Sequence, residues 1–218
     1  LKETVSEDIS DENQLEQIAK ISSNNDEEIA KIVSTAIKKS GLDGVVHIEE
    51  SKTGETYLET VDGCQFDKGY KSPYFVTDNE TMSTYLENPL VLIVEDKLNS
   101  MKELLPVLEG VSSQGRSLLV IADDIEGEAL STLVVNKMRG ILRVAAVKAH
   151  GWGDHKRGTL EDIATITGAT IISKQRGMKW DRFDKKWFGE CRTATLTSEK
   201  TTIIDGKGDK EAIEAQVN

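Results

Sequence analysis

Few cysteines, no long apolar run and a shortage of basic side chains set the first limits on this chain. The two cysteines, Cys64 and Cys191, stand far apart and form no CxxC, so neither a disulfide framework nor a zinc ribbon is supported. No apolar run approaches the ~18 residues of a membrane span. The start, Leu-Lys-Glu-Thr-Val-Ser-Glu-Asp, lacks the apolar segment of a signal peptide. Lys and Arg number 27 against 38 Asp and Glu, a formal charge of −11. Nucleic-acid affinity comes largely from neutralising phosphates, and attraction to anionic membranes from basic clusters, so neither partner is expected. A reducing, cytoplasmic setting fits best. The first residue is Leu rather than Met, as expected of a piece of a longer protein.

What is present is enough to fold. A chain of 218 residues can bury roughly 70% of its unfolded surface, so a core needs no staples. An amphipathic helix is expected between Asn25 and Gly41: Asn25 and Glu28 form a capping-box pair just before Ile29, Ile32, Val33, Ala36 and Ile37, and Gly41 follows. Residues 45–50 and 55–61 flank Lys52-Thr53-Gly54 and read as a hairpin. Asp62-Gly63 is a candidate hinge, since glycine tolerates large backbone changes. Beyond residue 90, β-branched runs at 90–94, 118–122, 141–147 and 170–173 alternate with helical patterns at 104–113, 128–139 and 159–167. That alternation predicts α/β units and a partly parallel sheet. Pro106 is expected near the start of its helix, where a missing N–H does no harm. Residues 176–192 are charged and aromatic without a clear period.

Enzyme motifs fail one after another. Gly151-Trp152-Gly153 follows a strand, but the third glycine of a dinucleotide fingerprint comes two residues late, at Gly158. No phosphate-binding GxxxxGK[ST] occurs, and the spacing from Gly110 through Ser112 to Gly115 misses the nucleophile elbow. Aligning Gly127 to a calcium loop places Ala122 and Leu133 where carboxylates are required, so acids favoured by a helix dipole are the better reading of Asp123 and Asp124. His150, Asp154 and His155 could converge on a metal, but no further His/Cys pair exists, and no metal is assigned. Asn79-Glu80-Thr81 matches a glycosylation acceptor with nothing to indicate secretion.

Two helices stand out. With Leu130 as zero, Ala129, Leu133, Val134, Met138 and Val135 spread over roughly 240°, where a surface helix needs little more than 100°. Leu104, Leu105, Val107, Leu108 and Val111 cover roughly 160°. Either another layer covers both helices, or they present an apolar groove that could dock a segment of a partner. Tyr70, Tyr74 and Phe75, three of the chain's eleven aromatics, crowd around Pro73 in a segment without strand alternation and read as binding anchors or a packed-down loop.

At these residues a family resemblance emerges. Asp62-Gly-Cys-Gln-Phe-Asp-Lys-Gly-Tyr-Lys-Ser-Pro-Tyr-Phe75, Leu104-Leu-Pro-Val-Leu-Glu109 and Asp123-Asp-Ile-Glu-Gly-Glu-Ala-Leu-Ser-Thr-Leu-Val-Val-Asn-Lys-Met-Arg-Gly140 closely resemble group I chaperonins of the GroEL type. Val144-Ala-Ala-Val-Lys-Ala149, Asp162-Ile-Ala-Thr-Ile-Thr-Gly168, Thr201-Thr-Ile-Ile-Asp-Gly206 and residues 22–26 do the same. The resemblance implies a partial α+β intermediate domain over 1–62 and an α/β apical domain of mixed sheets flanked by helices over 63–218. It implies capture of non-native polypeptides, and then of a GroES-type co-chaperonin lid, by Tyr70, Tyr74, Phe75, Leu105, Leu108, Leu130, Val134, Val135 and Asn136, with Gly63 as the hinge. The same resemblance assigns ATP and Mg to an equatorial domain of the parent ring, whose Gly-Asp-Gly-Thr loop is not in this sequence. No cofactor and no ATP hydrolysis are then expected of this piece, which would be monomeric on its own, whereas the parent would be an ATPase built from identical subunits. Three features depart from the family pattern: His150 and Trp152 in place of Pro and Phe, the two tryptophans within 176–192, and Lys71 beside the aromatic loop. The rival readings are an assembly module with one fixed partner and a nucleotide-dependent α/β enzyme with a degenerate Gly loop at 151–158.

Overall fold

The structure, a computed structural model, describes residues 12–40, 46, 55–58, 63–151, 153–209 and 211–213. The chain divides into two compact units, Leu1–Val61 and Asp62–Asn218.

In the first unit, α1 (Glu12–Ser22) and α2 (Glu27–Ser40) pack against each other and bury Ala19, Ala30, Ser34 and Ala36. Small residues at the contact let the two backbones approach closely. The turn between them needs left-handed backbone at Asn24 (φ 57°) and Asn25 (φ 66°), a conformation that asparagine tolerates better than most residues. The helix cap is therefore Asp26 rather than the expected Asn25, and its Oδ1 accepts from the amides of Glu28 and Ile29 at 3.0 and 3.1 Å. The hairpin expected over 45–61 lies outside the described residues, apart from 46 and 55–58.

The second unit is built on one eight-stranded mixed sheet. Its parallel half comprises β3 (Leu90–Val94), β4 (Leu118–Ala122), β5 (Val144–Lys148) and β6 (Ile171–Ile172), in the order β6-β3-β4-β5. Every residue of β3 and β4 is buried, as expected of parallel strands covered on both faces. The antiparallel half comprises β1 (Gly63–Phe66), β8 (Thr201–Gly206), β7 (Gly189–Leu196) and β2 (Thr84–Glu87), in that order. β7 joins the halves: its first residues, Gly189 and Glu190, pair with Val91 and Leu90, and its later ones pair with β2 and β8.

Crossovers between neighbouring parallel strands are right-handed. The steps from β3 to β4 and from β4 to β5 run the same way across the sheet, so α3 (Met101–Ser112) and α4 (Gly127–Met138) come to lie side by side on one face. The return from β5 to β6 reverses direction and sends α5 (Gly153–Thr167) to the opposite face, against β1, β3, β6 and β7. α3 begins three residues earlier than its periodicity predicts, because Ser100 Oγ accepts from the Lys102 amide at 3.2 Å. Pro106 consequently sits in the second turn, where its missing N–H does remove one intrahelical bond.

Candidate functional site

The sheet-facing sides of α3 and α4 are complete core surfaces: Leu104, Val107 and Val111 on α3, and Ala129 and Leu133 on α4, are fully buried. Their apolar residues do not stop there. Leu108, Leu130 and Val134 are half-buried and rest on the core from above. Leu105 and Val135 are each 42% exposed. The sheet-facing side of each helix is thus buried, and Leu105 and Val135 face outward. The far side of α3 is closed by residues 176–188. Trp180 stacks on Phe183 at 6.5 Å, Phe183 meets Trp187 and Phe188 edge-on at 5.5 and 5.2 Å, and a Cβ on Gly110 would lie 3.3 Å from Phe188 Cε2. Lys185 Nζ adds a bond to Ser113 Oγ at 2.7 Å. The covering layer that the sequence left open as an alternative is therefore present on one side of α3, and no described residue forms one over the strip of Leu105, Leu108, Leu130, Val134 and Val135.

The aromatic loop borders the strip. Tyr70 is half-buried and bridges antiparallel to Val147 of β5. Pro73–Phe75 form a single 3-10 turn, with Ser72 Oγ accepting from the Tyr74 amide at 3.4 Å. This turn packs against α4 and β5, and Lys137 Nζ ties it to α4 by donating to the Val76 carbonyl at 2.7 Å. The turn splits its two rings. Tyr74 is 62% exposed, whereas Phe75 is fully buried. Phe75 is thereby removed from the expected contact surface: it is the anchor that holds the loop down and leaves Tyr74 outside. Asn136 is half-buried, and its Nδ2 donates back to the Thr132 carbonyl at 2.8 Å. The sequence reading placed Met138 on the apolar arc of α4 without naming it among the site residues, and it missed Met101 and Ile141; all three are exposed, Met138 and Ile141 at 66%. Met101 lies one turn before Leu105, so helical spacing could have found it.

Of the acidic loop after β4, Glu128 sits in the first turn of α4, where the helix dipole favours it, whereas Asp123 and Asp124 are held by lysines. Asp123 accepts from Lys156 at 2.7 Å. Asp124 is buried and accepts from Lys71 at 2.5 Å, Lys148 at 3.1 Å and the Ile125 amide at 2.8 Å. Burial pushes the Asp124 carboxyl up, but the two lysines and the amide outweigh it and hold it well below the usual carboxylate range. Lys71 is thus spent on stapling the aromatic loop to the β4–α4 connection rather than being a loose charge beside it.

Gly63 opens β1 in extended backbone, and a Cβ there would meet the Ile203 carbonyl at 2.5 Å, so close strand approach already requires glycine. Cys64 and Cys191 are free thiols, and burial pushes both up to about 12. His150 and His155 stand with ring centroids 6.2 Å apart, but no group of three His, Cys, Asp or Glu gathers to hold a metal among the described residues. Trp152 lies outside those residues. No helix among them is long and apolar enough to cross a membrane.

What the arrangement offers chemically is exposed and half-buried apolar surface. Among known families, the model of the TCP-1/cpn60 chaperonin family matches residues 1–217 of the chain.

Proposed function

The chain belongs to the TCP-1/cpn60 chaperonin family, and on that premise we propose that it captures non-native polypeptide in the strip between α3 and α4, as the apical part of a group I, GroEL-type ring. Family membership carries the chaperone role, the binding of non-native chains and assembly into oligomers. The strip supports the finer reading. Leu105 and Val135 stand exposed over half-buried Leu108, Leu130 and Val134, with Tyr74 at the rim, on two helices whose opposite faces already complete the core. Unfolded chains expose apolar segments of many sequences. A shallow strip of aliphatic side chains buries such segments at roughly 25 cal/mol per Å² and asks for no sequence match. Several weak contacts, multiplied around a ring, then give tight capture with fast local exchange.

In this reading, the same strip is handed to a GroES-type lid when the domain turns about Gly63, in a cytoplasmic ring driven by ATP and Mg²⁺ bound elsewhere in the parent. The residues present do not fit a Mg²⁺ site of their own: Asp123 and Asp124 are already taken by Lys156, Lys71 and Lys148. Leu105→Glu and Val135→Glu are the decisive variants, since each places a charge on the exposed strip without entering the core. Two unrelated denatured proteins are diluted into the 218-residue chain and their aggregation followed by light scattering. Suppression of both clients, lost in the double variant, supports capture. Equal suppression by the double variant refutes the strip, and suppression of a single client favours a fixed-partner module instead.

A further inference from the structure

Capture in the strip gives residues 176–188 no task beyond closing the far side of α3. Yet this segment reverses the sign of the chain. It carries Arg176, Lys179, Arg182, Lys185 and Lys186 against Asp181 and Asp184, a formal +3 within a total of −11. Two of the five cations are already engaged: Arg176 reaches Glu161 at 3.6 Å, and Lys185 Nζ donates to Ser113 Oγ at 2.7 Å. Lys179, Arg182 and Lys186 are exposed and pair with no carboxylate among the described residues. Of the two acids, Asp184 spends Oδ1 on the Lys186 amide at 2.9 Å. Asp181 is exposed in the first of two turns described next.

The backbone holds the three cations on a fixed base. Trp180–Arg182 and Lys185–Trp187 form two successive 3-10 turns. In the first, the Arg182 amide donates to the Lys179 carbonyl at 3.1 Å, which brings the α carbons of these two cations within about 7 Å. In the second, the Trp187 amide donates to the Asp184 carbonyl at 3.0 Å, with Lys186 inside the turn. Beneath them Phe183 meets Trp180, Trp187 and Phe188, and Phe188 is buried against Gly110 of α3. The Thr170 amide adds a bond to the Trp187 carbonyl at 3.0 Å. Cations carried on a segment pinned in this way lose little backbone freedom when they bind.

We propose that these two turns form a docking ledge for a short acidic stretch of a partner polypeptide. Arg182 offers a planar fork that suits a carboxylate, and Lys179 and Lys186 supply compact charges beside it in sequence. Charge complementarity selects this occupant, and the rings argue against a nucleic acid: they stack on and abut one another instead of standing free as a platform for bases. A long polyanion would also meet the net negative charge of the rest of the chain. A short acidic stretch meets only the ledge, because charges more than about 8–10 Å away are screened at physiological salt. The ledge is separate from the apolar strip, and either assignment stands if the other fails.

The test titrates fluorescein-labelled octaglutamate with the full 218-residue chain and follows anisotropy, with unlabelled octaglutamate as competitor. Saturable binding that weakens as potassium chloride is added is expected, and octaglutamine should not compete. Lys179→Ala, Arg182→Ala and Lys186→Ala should each weaken binding at least twofold, and the triple variant at least tenfold. Lys200→Ala, in the turn between β7 and β8, should leave it unchanged. Leu105→Ser with Val135→Ser should also leave it unchanged, which separates the ledge from the strip. Four results would each overturn the proposal: no saturation, a triple variant that binds like the parent, competition by octaglutamine equal to that by octaglutamate, or oligothymidylate displacing the probe at lower concentration than octaglutamate does. All three substituted side chains are exposed, so melting curves and near-ultraviolet circular dichroism should match the parent and separate lost binding from lost folding.

Discussion

Asp124→Asn removes the single charge that two lysines share. The carboxylate is buried, accepts at 2.5 Å from Lys71, 3.1 Å from Lys148 and 2.8 Å from the Ile125 amide, and so links the aromatic loop, β5 and the β4–α4 connection. Removing one partner of a fully buried pair costs about 3–5 kcal/mol, and an exposed pair is worth about 0–1 kcal/mol. Both lysines keep part of their hydration, which places the expected loss between these limits, at about 2 kcal/mol. For a chain of this size each kcal/mol moves the melting temperature by about 2–4 °C, so a fall of roughly 4–8 °C should appear in thermal melts at pH 7. The pH dependence has a fixed sign. A carboxyl held below its unfolded value stabilises fully above that value, about pH 4, and the contribution fades as pH falls further. The gap between wild type and variant should therefore narrow in acid, and trypsin should cut faster after Lys71 in the variant. A shift below about 1 °C, or a gap that stays constant on acidification, would refute the staple.

Phe75→Ala should cost about 3–5 kcal/mol in urea unfolding, since the ring is wholly buried, and Tyr74→Ala less than about 0.5 kcal/mol; comparable losses would contradict the division of the two rings. Leu104→Ala and Leu105→Ala, neighbours on α3, should separate in the same way: about 2–5 kcal/mol for the buried residue and close to nothing for the exposed one, with client capture weakened only by the second. The two thiols should resist a disulfide reagent at pH 8 until the chain unfolds. Because burial raises both to about 12, their contribution to stability is complete below about pH 9 and declines as pH rises toward 12. Cys64→Ser with Cys191→Ser should flatten that alkaline decline in melts run from pH 8 to 11, and an unchanged slope would count against it.

The parallel half of the sheet was legible because its strands are short, mostly apolar runs and α3 and α4 keep a 3.6-residue period. The antiparallel half was not. β1 pairs with β8 across more than a hundred residues, Gly63 opposite Ile204, and no local pattern records such a partner. α5 hid its first two turns behind Gly153, Asp154, His155, Lys156 and Arg157, which carry no apolar period even though the helix starts there. Residues 176–188 looked unstructured for a related reason: their order comes from rings meeting rings and from a glycine on α3, not from a repeat. Of the candidate site, helix period singled out Leu105, Leu108, Leu130, Val134 and Val135, which the structure leaves exposed or half-buried. It could not tell Tyr74 from Phe75, because a 3-10 turn reverses the outlook of adjacent residues, and only the Ser72 cap and the fit under α4 decide which ring goes in.

The seating of β7 between the two halves of the sheet has a mechanical consequence. A pull along β1 from its Gly63 end runs parallel to the strand, so it loads all four of its pairs with β8 in shear instead of peeling them one after another. The load then passes from β8 into β7 and, through Gly189 and Glu190, into β3 at the centre of the parallel half. Ladders loaded in shear yield together or not at all. A pull applied at that edge should therefore be carried by the whole sheet and leave the spacing of α3 and α4 unchanged.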